Sequence, residues 1–187
     1  MRTKRGLYEP LGTDGFEFCH PVDEHDFERI DLVISGTAQQ SSWEPIGMQV
    51  FREDQGKNLA ASDSPWLGSE ALIFRSSVID SLGSLLKRYG ELLPVSCHDA
   101  NLWMYNPTTV LDALDEASSS IERFDDGSIM MIDHHVFRPS VVADNDIFKI
   151  SSLSVSPTFV SHRFVDRWKG CGLTGLDFVP VWAAQDS

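Results

Sequence analysis

The stretch SSVIDSLGSLLKRYGELLPVSC, residues 76–97, changes its hydrophobic period midway, and that change decides the fold. In the first part Val78, Ile79, Leu82, Leu85, Leu86 and Tyr89 recur at spacings of three and four, one stripe of a helix. Ser76 or Ser77 stands where an N-cap is wanted. Asp80 complements the positive end of the helix dipole, and Lys87 and Arg88 complement the negative end. Gly90 is placed to stop the helix as its C′ residue. A glycine at position 83 costs a helix about 1 kcal/mol relative to alanine, so Gly83 is expected to mark close packing. Residues 92–97 then form a short apolar run that reads as a strand.

Strand texture continues outward from there. Residues 102–105 and 147–150 are short apolar runs, and 108–117 reads as a short helix with Val110, Leu111 and Leu114 inward. A hairpin is signalled by residues 121–124, the turn Asp125-Asp126-Gly127 and residues 129–137. Ser161 caps a second helix over about 162–170, with Phe164, Val165 and Trp168 inward, and residues 176–182 close as a strand. Upstream, Ile46, Met48 and Val50 alternate in a strand over 46–51. Residues 30–34 read as another strand, and residues 53–64 as a loop. The expected class is α+β: a mostly antiparallel sheet of short strands with two main helices, about 76–89 and 162–170. Gly6, Pro10, Gly12, Gly15 and Pro21 punctuate the beginning. Residues 1–42 are therefore expected to be an irregular N-terminal extension, packed on or preceding a single domain over 43–187.

Charge narrows the partners. Asp and Glu number 28 against 15 Lys and Arg, a formal net charge of −13. Phosphate contacts require cations, so nucleic acid is a poor partner, and an anionic membrane would repel the chain. A basic protein would be attracted. No run approaches the roughly 18 apolar residues of a membrane span, and the basic residues 1–5 precede no apolar signal segment. Cys19, Cys97 and Cys171 are odd in number and far apart, unlike a disulfide framework. The expected location is the cytoplasm.

Catalytic chemistry needs a nucleophile, a base or a metal cluster. Cys97-His98-Asp99 holds the residue types of a Cys–His couple, but neighbours along a strand end point in alternating directions. The plainer reading is a buried Cys97 followed by a loop. In Asp133-His134-His135, Asp133 and His135 would share a strand face and would need a distant His20, His25 or His98 to complete a metal site. The Cys and His spacing of structural zinc sites is absent, as are nucleotide-loop and hydrolase motifs. The sequence thus assigns no catalytic residue, metal ligand or cofactor. A small metal- or Cys/His-dependent enzyme is the alternative.

The acidity is concentrated. Between residues 99 and 146 stand ten carboxylates against Arg123 and Arg138, eight of the thirteen net negative charges. Solvated turns that confer solubility explain such a run as readily as a face for a positive partner. For the second reading the candidate contacts are Asp99, Glu116, Asp125, Asp126, Asp144 and Asp146. Trp66 and Trp103 are candidate aromatic anchors, with core packing as the other role.

A longer pattern joins these pieces. Trp43-Glu44-Pro45, Ser62 to Trp66, Gly90 to Val95 and Tyr105-Asn106-Pro107 occur in order, followed by Leu111 to Asp115 and Ser118 to Ser120. Arg123-Phe124, Gly127-Ser128-Ile129, Phe137-Arg138-Pro139, Ile147-Phe148-Lys149, Phe159-Val160-Ser161, Phe164-Val165, Gly172 to Leu176, Phe178 and Pro180-Val181-Trp182 continue it. Over about residues 43–182 the chain resembles immunity protein family eleven of bacterial polymorphic-toxin systems. The resemblance implies a cytoplasmic antidote that binds and neutralises a cognate toxin domain, encoded nearby, by stoichiometric inhibition. It carries no catalytic residue to this chain. Its matching positions are mostly apolar, Gly or Pro, which implies that they define the fold and that residues outside them select the toxin. A chaperone or adaptor for a secreted effector is a further alternative.

Overall fold

The computed structural model describes residues 6–184, and the basic residues 1–5 lie outside them. The chain opens with Gly6–Gly12 (β1), Phe18–Pro21 (β2), a 3-10 turn at Glu24–Asp26 and the helix Phe27–Ile34 (α1). Gly47–Phe51 (β3) and the small hairpin Glu53–Asp54 (β4) and Lys57–Asn58 (β5) lead to Leu72–Arg75 (β6). Then follow Ser76–Tyr89 (α2), Gly90–Cys97 (β7), Leu102–Pro107 (β8) and Val110–Leu111 (β9). The remainder is Ser120–Arg123 (β10), Ile129–His134 (β11), Pro139–Val142 (α3), Ile147–Ile150 (β12), Phe159–Ser161 (β13), His162–Gly170 (α4) and Leu176–Ala183 (β14).

Two five-stranded sheets carry the fold, ordered β14-β1-β13-β12-β9 and β2-β3-β7-β8-β6. Each is antiparallel except for one parallel pair, β12 with β9 in the first and β3 with β7 in the second. The expected α+β class with a mostly antiparallel architecture is what the chain adopts.

Alternation along the strands buries both faces of each sheet. Leu72, Phe74 and Tyr105 of the second sheet and Ile147, Val160 and Leu176 of the first meet the apolar stripes of α2 and α4 in one core. The intervening residues Ile73, Leu93, Val95, Leu102 and Met104 form a second core with Ile30 and Val33 of α1. On the far face of the first sheet, Leu7, Phe148, Ile150 and Phe159 pack with Leu114, Phe137 and Val142. Ile121, Ile129 and Ile132 of the β10–β11 hairpin lean on this third core. Side chains at period two point to opposite faces, so one strand serves two cores.

The helix over 76–89 forms as expected, but its ends differ in chemistry. Its N-cap position is Arg75, without a side-chain cap, and the Ser77 hydroxyl donates instead to the Asp63 carboxylate. Gly90 is extended, with φ −176°, so the helix passes directly into β7 without a left-handed cap. Glycine is required there for space: a Cβ would stand 2.2 Å from the Asn106 carbonyl oxygen. Gly83, by contrast, has only ordinary contact with Ile79, and no close approach depends on it.

Three local expectations are corrected. Residues 30–34 belong to α1: Ile30 and Val33, three apart, are buried, and Asp31 and Leu32 face out. A β-branched apolar run resembles a strand until a sheet face selects one helical stripe. Residues 108–117 are not a helix, because Lys149 N–H bonds the Thr109 carbonyl, Ser151 N–H the Leu111 carbonyl and Arg138 N–H the Ala113 carbonyl. Those carbonyls are thereby spent between segments. Residues 1–42 are not irregular over the described part. β1 pairs with both β13 and β14 inside the first sheet, and β2 pairs with β3 at the edge of the second. Gly6, Pro10 and Gly12 are accommodated within β1 and Pro21 ends β2, and Gly15 alone stays in a turn, between the two strands, with φ +81°.

Candidate partner-binding surface

The acidic segment is built around a hairpin that belongs to neither large sheet. At its base the Asp115 N–H bonds the Val136 carbonyl, and its carboxylate accepts from the Ser118 N–H and hydroxyl. The Ser119 hydroxyl accepts from Val136 N–H at 3.0 Å. At its tip Gly127 has φ +86°, a conformation L side chains avoid. Asp126 holds the turn by accepting from the Ser128 N–H at 2.9 Å and hydroxyl at 2.6 Å, which keeps its carboxyl below the usual range. Arg123 donates to the Gly127 carbonyl and pairs with Glu116 at 2.7 Å. Glu116, Glu122, Asp125, Asp126 and Asp133 are all exposed on this element or at its base.

The other candidates separate. Asp99 lies beyond β7, exposed, paired with His98 Nδ1 at 2.8 Å; this hydrogen bond lowers the Asp99 pKa and raises that of His98. It lines a recess with Val22, Gly47 and Met48, apart from the one lined by Glu116, Arg123 and Phe124. Asp144 is exposed, and its backbone carbonyl accepts from the Tyr89 hydroxyl. Asp146 is corrected as a contact candidate: it is only 6% exposed. Its carboxylate accepts from the Ser161 hydroxyl and from Arg163 Nε, both at 2.6 Å. Ser161 in turn caps α4 by accepting from Phe164 N–H, as expected. The acidic residues therefore form one hairpin group, two separate exposed positions and one internal anchor.

The enzyme-like groupings do not assemble. The His98 side chain is fully exposed and faces Asp99 in place of Cys97. His135 is half-buried, stacked on Phe137 at 5.7 Å, with its pKa lowered by burial, and Asp133 and His134 face solvent. Among the described residues no three His, Cys, Asp or Glu side chains are grouped to hold a metal ion. Cys19 is fully buried, and burial pushes its thiol pKa well up. Trp66 packs on the first core, and Trp103 is half-buried in β8 opposite Phe74 and Pro94. Among the described residues no helix is long and apolar enough to cross a membrane.

Two buried charges escaped the sequence reading. Glu17 pairs with Arg75 at 2.6 Å and Arg52 at 3.2 Å and accepts from Ser62 N–H, tying β2 to the β5–β6 connection. Lys149 is 1% exposed and donates to the carbonyls of Ile34, Glu70 and Ser156. Burial pushes its pKa down to about 8. A lysine within the apolar run of β12 was the only available signal. Phe124, Met130 and Met131 on the hairpin were also missed, because apolar residues in a strand are normally assigned to a core.

No curated protein matches the chain. Residues 94–183, from β7 to the end of β14, are matched by the model of the immunity protein family (Imm11), the family the sequence resembles.

Proposed function

We propose that this chain is a cytoplasmic immunity protein that neutralises its cognate toxin by one-to-one binding, with the acidic hairpin region turned toward a basic toxin surface. The family match over residues 94–183 supports the toxin-neutralising role. The observation that carries the binding mode is the hairpin, where Glu116, Glu122, Asp125, Asp126 and Asp133 stand exposed against Arg123 alone, itself paired with Glu116. Such a field accelerates encounter with a cationic partner, and a toxin that cleaves nucleic acid has a cationic substrate groove that this surface would occupy. Mechanism is then occlusion, with no bond made or broken.

The test is co-expression with the protein encoded beside this chain's gene, followed by titration calorimetry and association kinetics at about 50 and 500 mM salt. Rescue of growth, a stoichiometry of one and an association rate that falls steeply with salt are expected. Failure to rescue overturns the immunity reading, and reduced toxin export without killing of the producer would identify a chaperone. Tight binding with a salt-independent rate overturns acidic steering alone.

A further inference from the structure

Two register shifts fall within the short strand β11. Arg123 faces Ile129 and Glu122 faces Met131, and then Ile121 faces Ile132 and Ser120 faces His134. Met130 and Asp133 are therefore the extra residues of two bulges. The first has a direct consequence. Ile129 and Ile132 both lean on the third core, so Met130 and Met131 between them both remain outside. Regular alternation would have turned one of the two back to the core side. Phe124 at the tip is 54% exposed, and Met130 and Met131 are 48% and 49% exposed. Three of the ten exposed large apolar side chains among the described residues thus lie within residues 124–131. Leaving them in water forgoes burial worth about 1.5–3 kcal/mol for each full side chain, with no return to the fold. Exposed carboxylates of Glu122, Asp125, Asp126 and Asp133 flank them along the hairpin, Glu122 directly opposite Met131, and the nearby cation, Arg123, is held by Glu116 and the Gly127 carbonyl.

We propose that Phe124, Met130 and Met131 form the anchor by which this protein grips its toxin, entering an apolar pocket rimmed by arginine or lysine. The inference rests on the immunity reading and deepens it. Methionine adapts to irregular pockets, and aromatic and Met side chains are enriched at interface centres. The flanking carboxylates meet the cationic rim, and the bulge is the device that exposes two adjacent residues of one strand. Charge then sets how fast the partners meet, and the apolar crest sets how long they remain together.

The experiment uses the full chain and the purified protein encoded beside its gene. Binding kinetics are measured for the wild type, for Phe124→Ala/Met130→Ala/Met131→Ala, and for Glu122→Gln/Asp125→Asn/Asp133→Asn; Asp126 is left intact because it holds the turn. The apolar variant is expected to weaken binding about a hundredfold, mainly through faster dissociation, with its salt dependence retained. The charge variant is expected to slow association about tenfold at low salt with little change in dissociation. Peroxide footprinting of the unaltered protein needs no substitution: Met130 and Met131 should oxidise about tenfold more slowly in the complex than alone. If the wild type neither binds nor protects, the immunity reading fails and this inference with it. If the wild type binds but the apolar variant binds within threefold, or both methionines oxidise as fast in the complex, the anchor inference fails alone.

Discussion

Replacing Asp146 with alanine distinguishes a carboxylate that holds the fold from one that contacts a partner. The carboxylate is buried, receives the Ser161 hydroxyl and Arg163 Nε at 2.6 Å each, and sits where β12, β13 and the start of α4 converge. A hydrogen bond to a charged group contributes about 1.5–3 kcal/mol. The Arg163 side chain is 41% exposed and regains water when released, so its share is discounted to well under 1 kcal/mol. The Ser161 hydroxyl keeps its cap to Phe164 N–H but loses its acceptor in a buried setting. The expected loss is about 2 kcal/mol. For a chain of this size that lowers the thermal midpoint by roughly 4–8 °C, and with a urea slope of about 2 kcal/mol per molar it lowers the midpoint by about 1 M. Urea unfolding followed by far-UV circular dichroism measures it, with Asp125→Ala as the exposed control expected within about 0.5 kcal/mol of wild type. A midpoint for Asp146→Ala within about 0.2 M of wild type, together with weakened toxin binding, would refute the structural assignment.

Other perturbations have equally definite outcomes. Gly90→Ala places a Cβ 2.2 Å from the Asn106 carbonyl oxygen and 2.8 Å from Pro107 Cα, both backbone, and should destabilise by about 3 kcal/mol in the same urea assay. Lys149 has its pKa depressed to about 8 by burial, from an ordinary 10.5. Between those values the unfolded chain binds the extra proton, so stability attributable to this group rises with pH from about 8 to 10.5, by at most about 3 kcal/mol. The difference between wild type and Lys149→Met, followed by urea unfolding across that range, should change in that direction, and a flat difference would show that the ammonium is not desolvated.

Much of the architecture was legible because period reports burial. Val78 to Tyr89 could only be one helical stripe, and Ile46, Met48 and Val50 one strand face, whatever surrounded them. The hairpin turn was legible from Asp125-Asp126-Gly127, since a left-handed glycine and an Asx-type acceptor are local chemistry. Residues 30–34 and 108–117 were misread because their state depends on distant partners: α1 forms against a sheet face, and β9 takes its hydrogen bonds from β12. The place of β1 was invisible for the same reason. Its partners β13 and β14 lie roughly 150 and 170 residues away along the chain, and nothing in Gly6–Gly12 announces them.

For the surface, the division is sharper. The sequence by itself determined that the chain is acidic, where the excess lies, and which family residues 94–183 resemble, because charge and order of residues are properties of the chain as written. Only the tertiary structure decided that Asp146 is an internal anchor, that Asp99 stands apart, and that Met130 and Met131 are both exposed. Exposure is a relation between segments. A carboxylate faces water or an arginine according to what folds over it, and one bulge is enough to put two neighbouring side chains on the same outer surface.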